Sequence, residues 1–305
     1  MKFDWQHRLS LSAPVIIDGA TGTELEAAGV DVQNPLWGSV ALLTAEGRAQ
    51  TTKVHQAYVA AGAELIIANS HNLSLNHVQR WCMRPSPPSS DSAEALCRTL
   101  NRAAVDVARK VGCGVAACLA SPDTPYATSA NLTADEVADR LLLQYEALAA
   151  SDPDLIIFEM LTTPSDIRGV AQLVSSRGAA IPVAVGLVAA GAEGTLGGAS
   201  WADARDALEP LAPSVVFIQC TPVERVEPAL AALSAGWPEA TLGVYANDGG
   251  YDASTQSWSG ARATPQDYAA AAQRWVSAGA RVVGGCCGTG PAHIAAIRAA
   301  LKPAH

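Results

Sequence analysis

The stretch DLIIFEMLTTPSDIRGVAQLVSSRGAAIPVAVGLV (154–188) contains the unit from which the fold is predicted. It begins with a short apolar run, DLIIFEM (154–160), and ends with a second one, PVAVGLV (182–188). Such runs are typical of parallel strands covered on both faces, and they are too short for helices. The segment between them, 165–178, is helix-like, so the stretch predicts a strand, a helix and a second strand.

The same alternation runs through the rest of the 305-residue chain. Strand-like runs are found at 15–20, 63–70, 114–120, 154–160, 182–188, 214–220, 241–247 and 281–287. Helix-like stretches lie at 46–62, about 91–111, 134–150, 165–178, 202–212, 223–236, 265–279 and 291–301. Eight strands with intervening helices predict an α/β fold, a (β/α)8 TIM-type barrel forming a single domain over residues 1–305. A doubly wound open sheet is the alternative, but it usually has fewer strands and a glycine-rich phosphate loop after the first.

Local signals support this division of the chain. Asn131 or Thr133 is expected to cap the helix at 134–150, and Pro265 and Gly279 are expected to bound the helix at 265–279. The segments 81–92 and 247–260 are expected to be long loops on the barrel. The glycine-rich segment GAEGTLGG (191–198) is interpreted as a mobile loop over the site.

Composition excludes several classes of protein. Hydrophobic residues make up 49% of the chain and charged residues 16%, so a disordered chain is excluded. Lys and Arg number 20 and Asp and Glu 29, which gives a net charge of −9 and disfavours nucleic acid and anionic membranes as partners. An odd number of Cys, seven, indicates reduced thiols, and no stretch is long enough for a signal peptide or a membrane span. We therefore expect a soluble, cytoplasmic protein.

Chemically active side chains gather at the ends of the predicted strands, where barrel enzymes carry their sites. Strand 6 ends in Cys220, and strand 8 runs into Cys286 and Cys287 within GGCCGTG (284–290). Adjacent side chains on a regular strand point to opposite faces, so the two neighbouring thiols converge only if the backbone bends, and the flanking glycines allow that. Three thiolates suit zinc, and three protein ligands are typical of a catalytic zinc site.

The alternatives for these cysteines are buried packing thiols and a vicinal disulfide or redox switch at Cys286–Cys287. The remaining four, Cys82, Cys97, Cys113 and Cys118, are interpreted as packing thiols.

Two acids also end strands. Asp18 precedes the glycine-rich turn Gly19–Thr23, whose backbone N–H groups are suited to a carboxylate, and Glu159 lies in an apolar strand, where a charge needs a partner. Together these features are suited to an amino acid zwitterion, although Glu159 could instead pair with an Arg inside the barrel. His71, after strand 2, is expected to face the site and either to contact substrate or to line a loop.

The motifs DGATGTELEAAG (18–29), PLWG (35–38), VHQAYVAAGAELI (54–66), DLIIFEM (154–160), Cys220 and GGCCGTGPAHI (284–294) occur together in this order. In this the chain resembles the homocysteine-binding domain of homocysteine S-methyltransferases over nearly its whole length. The resemblance implies Zn2+ as cofactor, held by Cys220, Cys286 and Cys287. It implies that Asp18, Gly19 and Glu159 hold the amino and carboxylate groups of homocysteine, and we add Asn69 and Asn247, at the ends of strands 2 and 7, as expected substrate-binding residues.

The chain also departs from the family pattern near these sites. Gln219 stands before the strand-6 Cys, where Asn is common, and Ala246 precedes Asn247, where Pro is usual. The segment Ala68–His71 replaces a Thr-Asn-Thr-aromatic sequence, and SPDTPY (121–126) lacks a glycine-rich form. The residues that would meet the methyl donor therefore differ from the usual ones.

The resemblance implies an enzyme of methionine biosynthesis that transfers a methyl group from a small cationic donor to the homocysteine thiolate. Betaine, S-methylmethionine and S-adenosylmethionine are the donor types considered, and Trp37, Tyr126, Tyr251 and Trp258 are aromatic residues suited to hold a cation. Its partners would be small-molecule substrates only, and the protein would be a monomer or small homo-oligomer. The alternatives are a zinc-dependent methyltransferase for another thiol or selenol, and a non-catalytic thiol-binding module that needs a partner.

Overall fold

In a computed structural model, the chain forms a barrel of eight parallel strands. The structure describes residues 3–84, 92–122, 126, 128–252, 257–259 and 262–302. We number the barrel strands β1 to β8: Val15–Ile16, Leu65–Ile67, Gly114–Ala120, Leu155–Leu161, Val183–Leu187, Val215–Pro222, Leu242–Asn247 and Val282–Gly285. Neighbouring strands pair in the order β1–β8–β7–β6–β5–β4–β3–β2, and a parallel bridge between Ile17 and Leu65 joins the two ends of the sheet. The predicted barrel is confirmed.

Eleven α-helices of the described residues flank this sheet. We number them α1 to α11: Trp5–Ser10, Thr21–Ala27, Ala45–Ala61, Leu75–Cys82, Ala93–Arg109, Ala134–Ala149, Pro164–Arg177, Trp201–Leu208, Val223–Gly236, Pro265–Ser277 and Pro291–Ala300. Two 3-10 helices, Trp37–Leu43 and Glu209–Leu211, accompany them. The eight predicted helices are all present, while the sequence patterns did not predict the short helices α1, α2 and α4.

Helix ends follow the expected chemistry. Thr133, not Asn131, caps α6, because its side chain accepts from the backbone N–H of Glu136 and the Glu136 side chain bonds back to Thr133. Helix α10 opens at Pro265 after the cap Thr264, and it ends just before Gly279, whose φ of +105° is in the left-handed region.

The core has two layers. Inside the barrel, alternate strand residues such as Val15, Ile157 and Phe217 pack into one cluster, and Trp5 of α1 joins them. A larger cluster of buried apolar side chains fills the space between the strands and the surrounding helices. Because both faces of every strand are covered, the strands are near-continuous apolar runs, as the sequence predicted.

The long connecting segments differ in part from the expectation. Residues 189–191 and 194–195 form a two-stranded antiparallel hairpin, and Thr195 and Gly197 both bond to the carbonyl of Thr162, so the predicted loop at 191–198 is a packed hairpin. A second hairpin pairs Gly250–Asp252 with Ser257–Ser259 inside the predicted loop at 247–260. Most of the other predicted loop, 85–91 of 81–92, lies outside the described residues.

Candidate metal and substrate site

Cys220 lies at an irregularity near the end of β6. The pairing register of β6 with β7 shifts between Gln219 and Pro222, and Cys220 itself has a φ of +48°, in the left-handed region that side chains other than Gly seldom adopt. The amide of Asn247 donates to the Cys220 carbonyl at 2.9 Å and fixes this bend. Strained backbone of this kind persists where its surroundings hold it, and here it places the Cys220 sulfur in the cavity above the barrel.

Cys286 and Cys287 follow β8 in a tight turn. The backbone N–H of Cys286 still bonds to the Ala246 carbonyl of β7 at 2.8 Å, while the chain turns at Gly288, whose φ is +81°. A Cβ atom on Gly288 would lie 1.9 Å from Oδ1 of Asp248, so any other residue there would have to displace the Asp248 carboxylate and adopt an unfavourable φ. The turn lets both neighbouring thiols reach one cavity, as the glycine-flanked sequence predicted.

The three sulfur atoms form one cluster. Cys220 Sγ lies 2.9 Å from Cys286 Sγ and 3.8 Å from Cys287 Sγ, and all three lie within 4.8 Å of one another. Two thiolates on a tetrahedral zinc ion are about 3.8 Å apart, given Zn–S bonds of about 2.3 Å. The Cys220–Cys287 pair already has this spacing, and the Cys220–Cys286 pair would have to separate by about 1 Å. The donor set and its size therefore fit a soft or borderline ion such as zinc.

The three thiols differ in how easily they lose a proton. Hydrogen bonds from the Cys286 and Cys287 thiols hold the pKa of Cys220 well below its usual value, with a smaller contribution from Tyr126, whose hydroxyl lies 3.1 Å from Cys220 Sγ. The hydrogen bond to Cys220 raises the pKa of Cys286 well above its usual value. The lowered pKa favours the thiolate form of Cys220, which is the ligand form that metals bind.

Glu159 faces this cluster from the end of β4. It is 5% exposed, and its partners are His71 rather than an Arg: His71 Nδ1 lies 2.7 Å from Oε2, and the Tyr245 hydroxyl donates to Oε1 at 3.1 Å. Burial disfavours the charged form of His71, but the hydrogen bond and the charge of Glu159 outweigh it and raise the pKa of His71. The alternative of an Arg partner inside the barrel is therefore wrong for this carboxylate, within the described part of the chain.

Asp18 lies below the cavity rather than on its wall. Its Oδ2 accepts from the backbone N–H of Ile67 at 3.0 Å, and its Oδ1 has no hydrogen-bond partner among the described residues. Burial raises the pKa of Asp18 well above the usual value, and the nearby charge of Glu159 adds to this effect. The next residue, Gly19, lines the cavity and approaches the turn after β8 so closely that a Cβ would lie 2.8 Å from the Thr289 carbonyl.

The two expected asparagines have different positions. Asn69 lines the cavity, and its side chain bonds to the Gly38 carbonyl at 3.0 Å and to the Ser39 hydroxyl at 3.2 Å. Asn247 is fully buried behind Cys220, where its amide reaches the Cys220 carbonyl and the Tyr126 hydroxyl. Asn247 therefore supports the cysteine, and its Oδ1 has no partner among the described residues.

These groups enclose a cavity of about 350 Å³ at the carboxyl ends of the strands, a size typical of small-molecule sites. It brings together six of the eight expected site residues: Gly19, Asn69, Glu159, Cys220, Cys286 and Cys287. Trp37, Tyr126 and His71, which the sequence marked as candidates, line it too, whereas the side chains of Tyr251 and Trp258 lie outside the described part.

Several further wall residues were not among the expected site residues, although Gln219 was noted in the sequence as a departure from the family pattern. Tyr245, Gln219, Met160 and Cys118 line the cavity, and Cys118, interpreted as a packing thiol, is both buried and part of the wall. The signal that could have indicated Tyr245 and Gln219 is their position, two residues before the end of β7 and three before the end of β6. The Gln219 side chain accepts from the Met160 backbone N–H at 2.8 Å and so joins the ends of β4 and β6.

Across the described residues, no helix is both long and apolar enough to cross a lipid bilayer.

The chain has clear relatives. It matches the family described as homocysteine S-methyltransferase over residues 15–301. Homocysteine S-methyltransferase 1 of Zea mays is 28% identical over 312 residues, which cover 94% of each chain. A selenocysteine Se-methyltransferase of Brassica oleracea var. italica is 27% identical over 309 residues, which cover 94% of this chain and 88% of the relative. The metallated form of the homocysteine methyltransferase MmuM of Escherichia coli has the same fold, with a TM-score of 0.79, 24% identity and coverage of 95% of this chain and 97% of that one.

Proposed function

The chain belongs to the homocysteine S-methyltransferase family, and from that premise we propose that it is a zinc-dependent enzyme that methylates the thiol of homocysteine to give methionine. One observation carries the proposal: three cysteine sulfurs from two strand ends meet in a cavity that also holds a buried carboxylate, Glu159. We place the reaction in the cytoplasm, within a single domain.

Cys220, Cys286 and Cys287 would hold the zinc ion. Zinc bound there supplies Lewis acidity, which favours the thiolate form of a substrate thiol near neutral pH, whereas a free thiol with a pKa of about 8.5 is mostly protonated. Tyr126 and Asn247 hold Cys220 in place through its sulfur and its carbonyl. The chain itself therefore needs no strong general base for this reaction.

The walls of the cavity would bind and orient the two substrates. Glu159 is the acceptor for the homocysteine ammonium group, and Gly19, which lines the cavity, lets the first strand end pack against the turn after β8, so that its backbone lies in the wall beside the amino acid. Trp37 and Tyr126 offer aromatic faces to a cationic methyl donor on the cavity side. Holding the two reactants in one orientation supplies much of the rate in such reactions.

A donor screen tests the proposal. The purified, zinc-loaded protein is incubated with L-homocysteine and, in separate assays, betaine, S-methylmethionine or S-adenosylmethionine, and methionine is measured by mass spectrometry. We expect methionine with at least one of the three donors, and no methionine from a Cys220→Ser variant. Absence of product with every donor from a zinc-loaded protein would contradict the proposed activity.

The acceptor has a specific second candidate. One relative, from Brassica oleracea, is named as a selenocysteine Se-methyltransferase, and this name makes a selenol the second candidate acceptor for the chain. The same assay with reduced selenocysteine and with homocysteine, at equal concentrations, distinguishes the two by the ratio of kcat/KM.

A further inference from the structure

Among the described residues that line the cavity, His71 is the only one whose side chain can carry a positive charge. Glu159 lines the same cavity, and its Oε2 lies 2.7 Å from His71 Nδ1, so a carboxylate and a side chain that can carry a positive charge lie side by side in the wall. An amino acid acceptor brings both an ammonium and a carboxylate group. Its carboxylate loses hydration on entering and needs a donor in return.

The contact with Glu159 determines which nitrogen of the His71 ring bonds to the carboxylate. Nδ1 lies 2.7 Å from Glu159 Oε2, so this nitrogen carries a proton toward the carboxylate. The second nitrogen, Nε2, lies on the far side of the ring from Glu159. The side chain is 28% exposed and lines the cavity, and Nε2 is a donor when the ring is charged, so a ligand in the cavity that reaches this nitrogen would accept from it.

The backbone under His71 is held rigidly. Gln144 of α6 donates to the Ser70 carbonyl at 2.7 Å, and the Ser70 hydroxyl donates to the Cys118 carbonyl at 2.8 Å. The ring of Trp37 meets the imidazole edge-on, with 6.1 Å between ring centres. A ring fixed by its backbone, a neighbouring aromatic residue and a carboxylate is prearranged to bind a ligand in one orientation.

We propose that His71 is a specificity residue for the acceptor: its Nε2–H binds the α-carboxylate while Glu159 binds the α-ammonium, so that the pair recognises an amino acid zwitterion. This inference rests on the proposed function, since it takes the acceptor to be an amino thiol held beside the cysteine cluster. It assigns a role to a side chain at a position where the chain departs from the common family pattern.

Two substitutions distinguish the roles of the two ring nitrogens of His71. The amide nitrogen of Asn can occupy the place of Nδ1, so His71→Asn keeps a donor for Glu159 and removes the donor at the position of Nε2. The longer His71→Gln carries its amide nitrogen near the position of Nε2 and gives up the one at Nδ1. His7→Asn, the same change at an exposed residue of α1, is the matched control.

The measurement is binding of three thiols to the reduced, zinc-loaded proteins by isothermal titration calorimetry. L-homocysteine has both charged groups, 3-aminopropane-1-thiol lacks the carboxylate, and 4-sulfanylbutanoate lacks the ammonium. We expect the wild type to bind L-homocysteine about 10- to 100-fold more tightly than 3-aminopropane-1-thiol, the usual effect of a hydrogen bond to a charged group. In His71→Asn this ratio should fall to within about threefold, with binding of 3-aminopropane-1-thiol unchanged. His71→Gln should keep most of the ratio, and His7→Asn all of it.

Other outcomes contradict either this inference or the proposed function. If His71→Asn keeps the wild-type ratio, or weakens both ligands equally, His71 does not bind the carboxylate and the inference is wrong. If the wild type itself binds none of the three thiols, the proposed function fails instead. Circular dichroism melting of each variant, compared with the wild type, shows whether the variants are folded.

Discussion

Cys220 Sγ lies 3.8 Å from Cys287 Sγ, although 67 residues separate them along the chain. Two local backbone features produce this contact: the positive φ of Cys220 at the irregular end of β6, and the turn at Gly288 after β8. Strand β7 lies between these two strands, and its Asn247 holds Cys220 through the carbonyl. The sulfur cluster is therefore built by three neighbouring strands of the barrel.

The first prediction concerns metal content. We expect the purified wild type to contain about one zinc ion per chain and the Cys286→Ser variant to lose it, because two remaining thiolates bind the ion much more weakly. Inductively coupled plasma mass spectrometry gives the metal content, and thiol titration before and after chelation gives the number of protected sulfurs. Cys82→Ser, at a part-buried thiol at the end of α4, is the control and should keep its zinc. A wild type purified without chelator, under reducing conditions, that contains no metal would disprove zinc binding.

The second prediction concerns Tyr268, whose buried hydroxyl lies 2.8 Å from the Ala246 carbonyl and 2.9 Å from the Gly284 carbonyl. It joins β7 to β8 directly before the cysteine turn. Tyr268→Phe should lower stability by about 1 kcal/mol and weaken zinc binding by about 10-fold, as loss of a supporting hydrogen bond does at metal sites.

Zinc affinity is measured by competition with a chromogenic chelator, and stability by urea unfolding. Tyr145→Phe is the matched control, because its hydroxyl also bonds to a backbone carbonyl, that of Gly178 at 3.0 Å, away from the cysteines. It should lose similar stability and no zinc affinity. Equal zinc affinity of the two variants would show that Tyr268 has no role in supporting the site.

The barrel and the cysteine cluster could be predicted because both depend on patterns along the chain. Strand runs such as 154–160 and 182–188 are apolar throughout, since both faces of each strand are covered, and a helix-like segment separates them. The carboxyl ends of all parallel strands lie on one side of the barrel, so strand-end residues such as Cys220 and Cys286 were expected to meet.

The pairing of side chains across the cavity could not be predicted in the same way. The contacts of Glu159 with His71 and Tyr245 depend on strand register and on backbone irregularities, and the sequence does not mark these. Met160 and Cys220 both have positive φ, where a sequence rule expects Gly or Asn. Surrounding contacts hold them there, such as the bond from the Met160 N–H to Gln219, so these features come from tertiary structure.

The third prediction concerns Gly288. Gly288→Ala combines an unfavourable φ of +81° with a Cβ placed 1.9 Å from Asp248 Oδ1. The unfavourable φ alone costs about 1–2 kcal/mol of stability, and the contact with Asp248 adds to that cost. We therefore expect a larger loss of stability than the backbone effect alone gives, together with release of zinc. Gly112→Ala isolates that backbone effect, because Gly112 has a similar φ of +77° and open space around it. Thermal unfolding and metal content are measured for both variants. Equal melting temperatures would mean that Asp248 moves aside freely and that the turn tolerates a side chain.

The last prediction concerns acid stability and His55, a fully buried residue of α3 whose ring nitrogens have no hydrogen-bond partner among the described residues. Burial lowers the pKa of His55 from 6.5 to about 4, so between these values the unfolded chain binds more protons than the folded protein. Stability is therefore complete above pH 6.5 and falls as the pH drops toward 4, by about 2 kcal/mol at pH 5 and by about 3 kcal/mol in full.

His55→Leu removes this titration. The free energy of unfolding of His55→Leu and of the wild type is measured in urea at pH 7.5 and at pH 5. Between these two pH values, the wild type should lose about 2 kcal/mol more than the variant. His7→Leu, at an exposed position, should follow the wild-type dependence. Any contribution from the cysteine cluster or from His77, whose pKa is also lowered to about 4, is common to all three proteins and cancels in the comparison. Parallel profiles for the wild type and His55→Leu would show that His55 is protonated in the folded protein as readily as in the unfolded chain, which its burial without partners argues against.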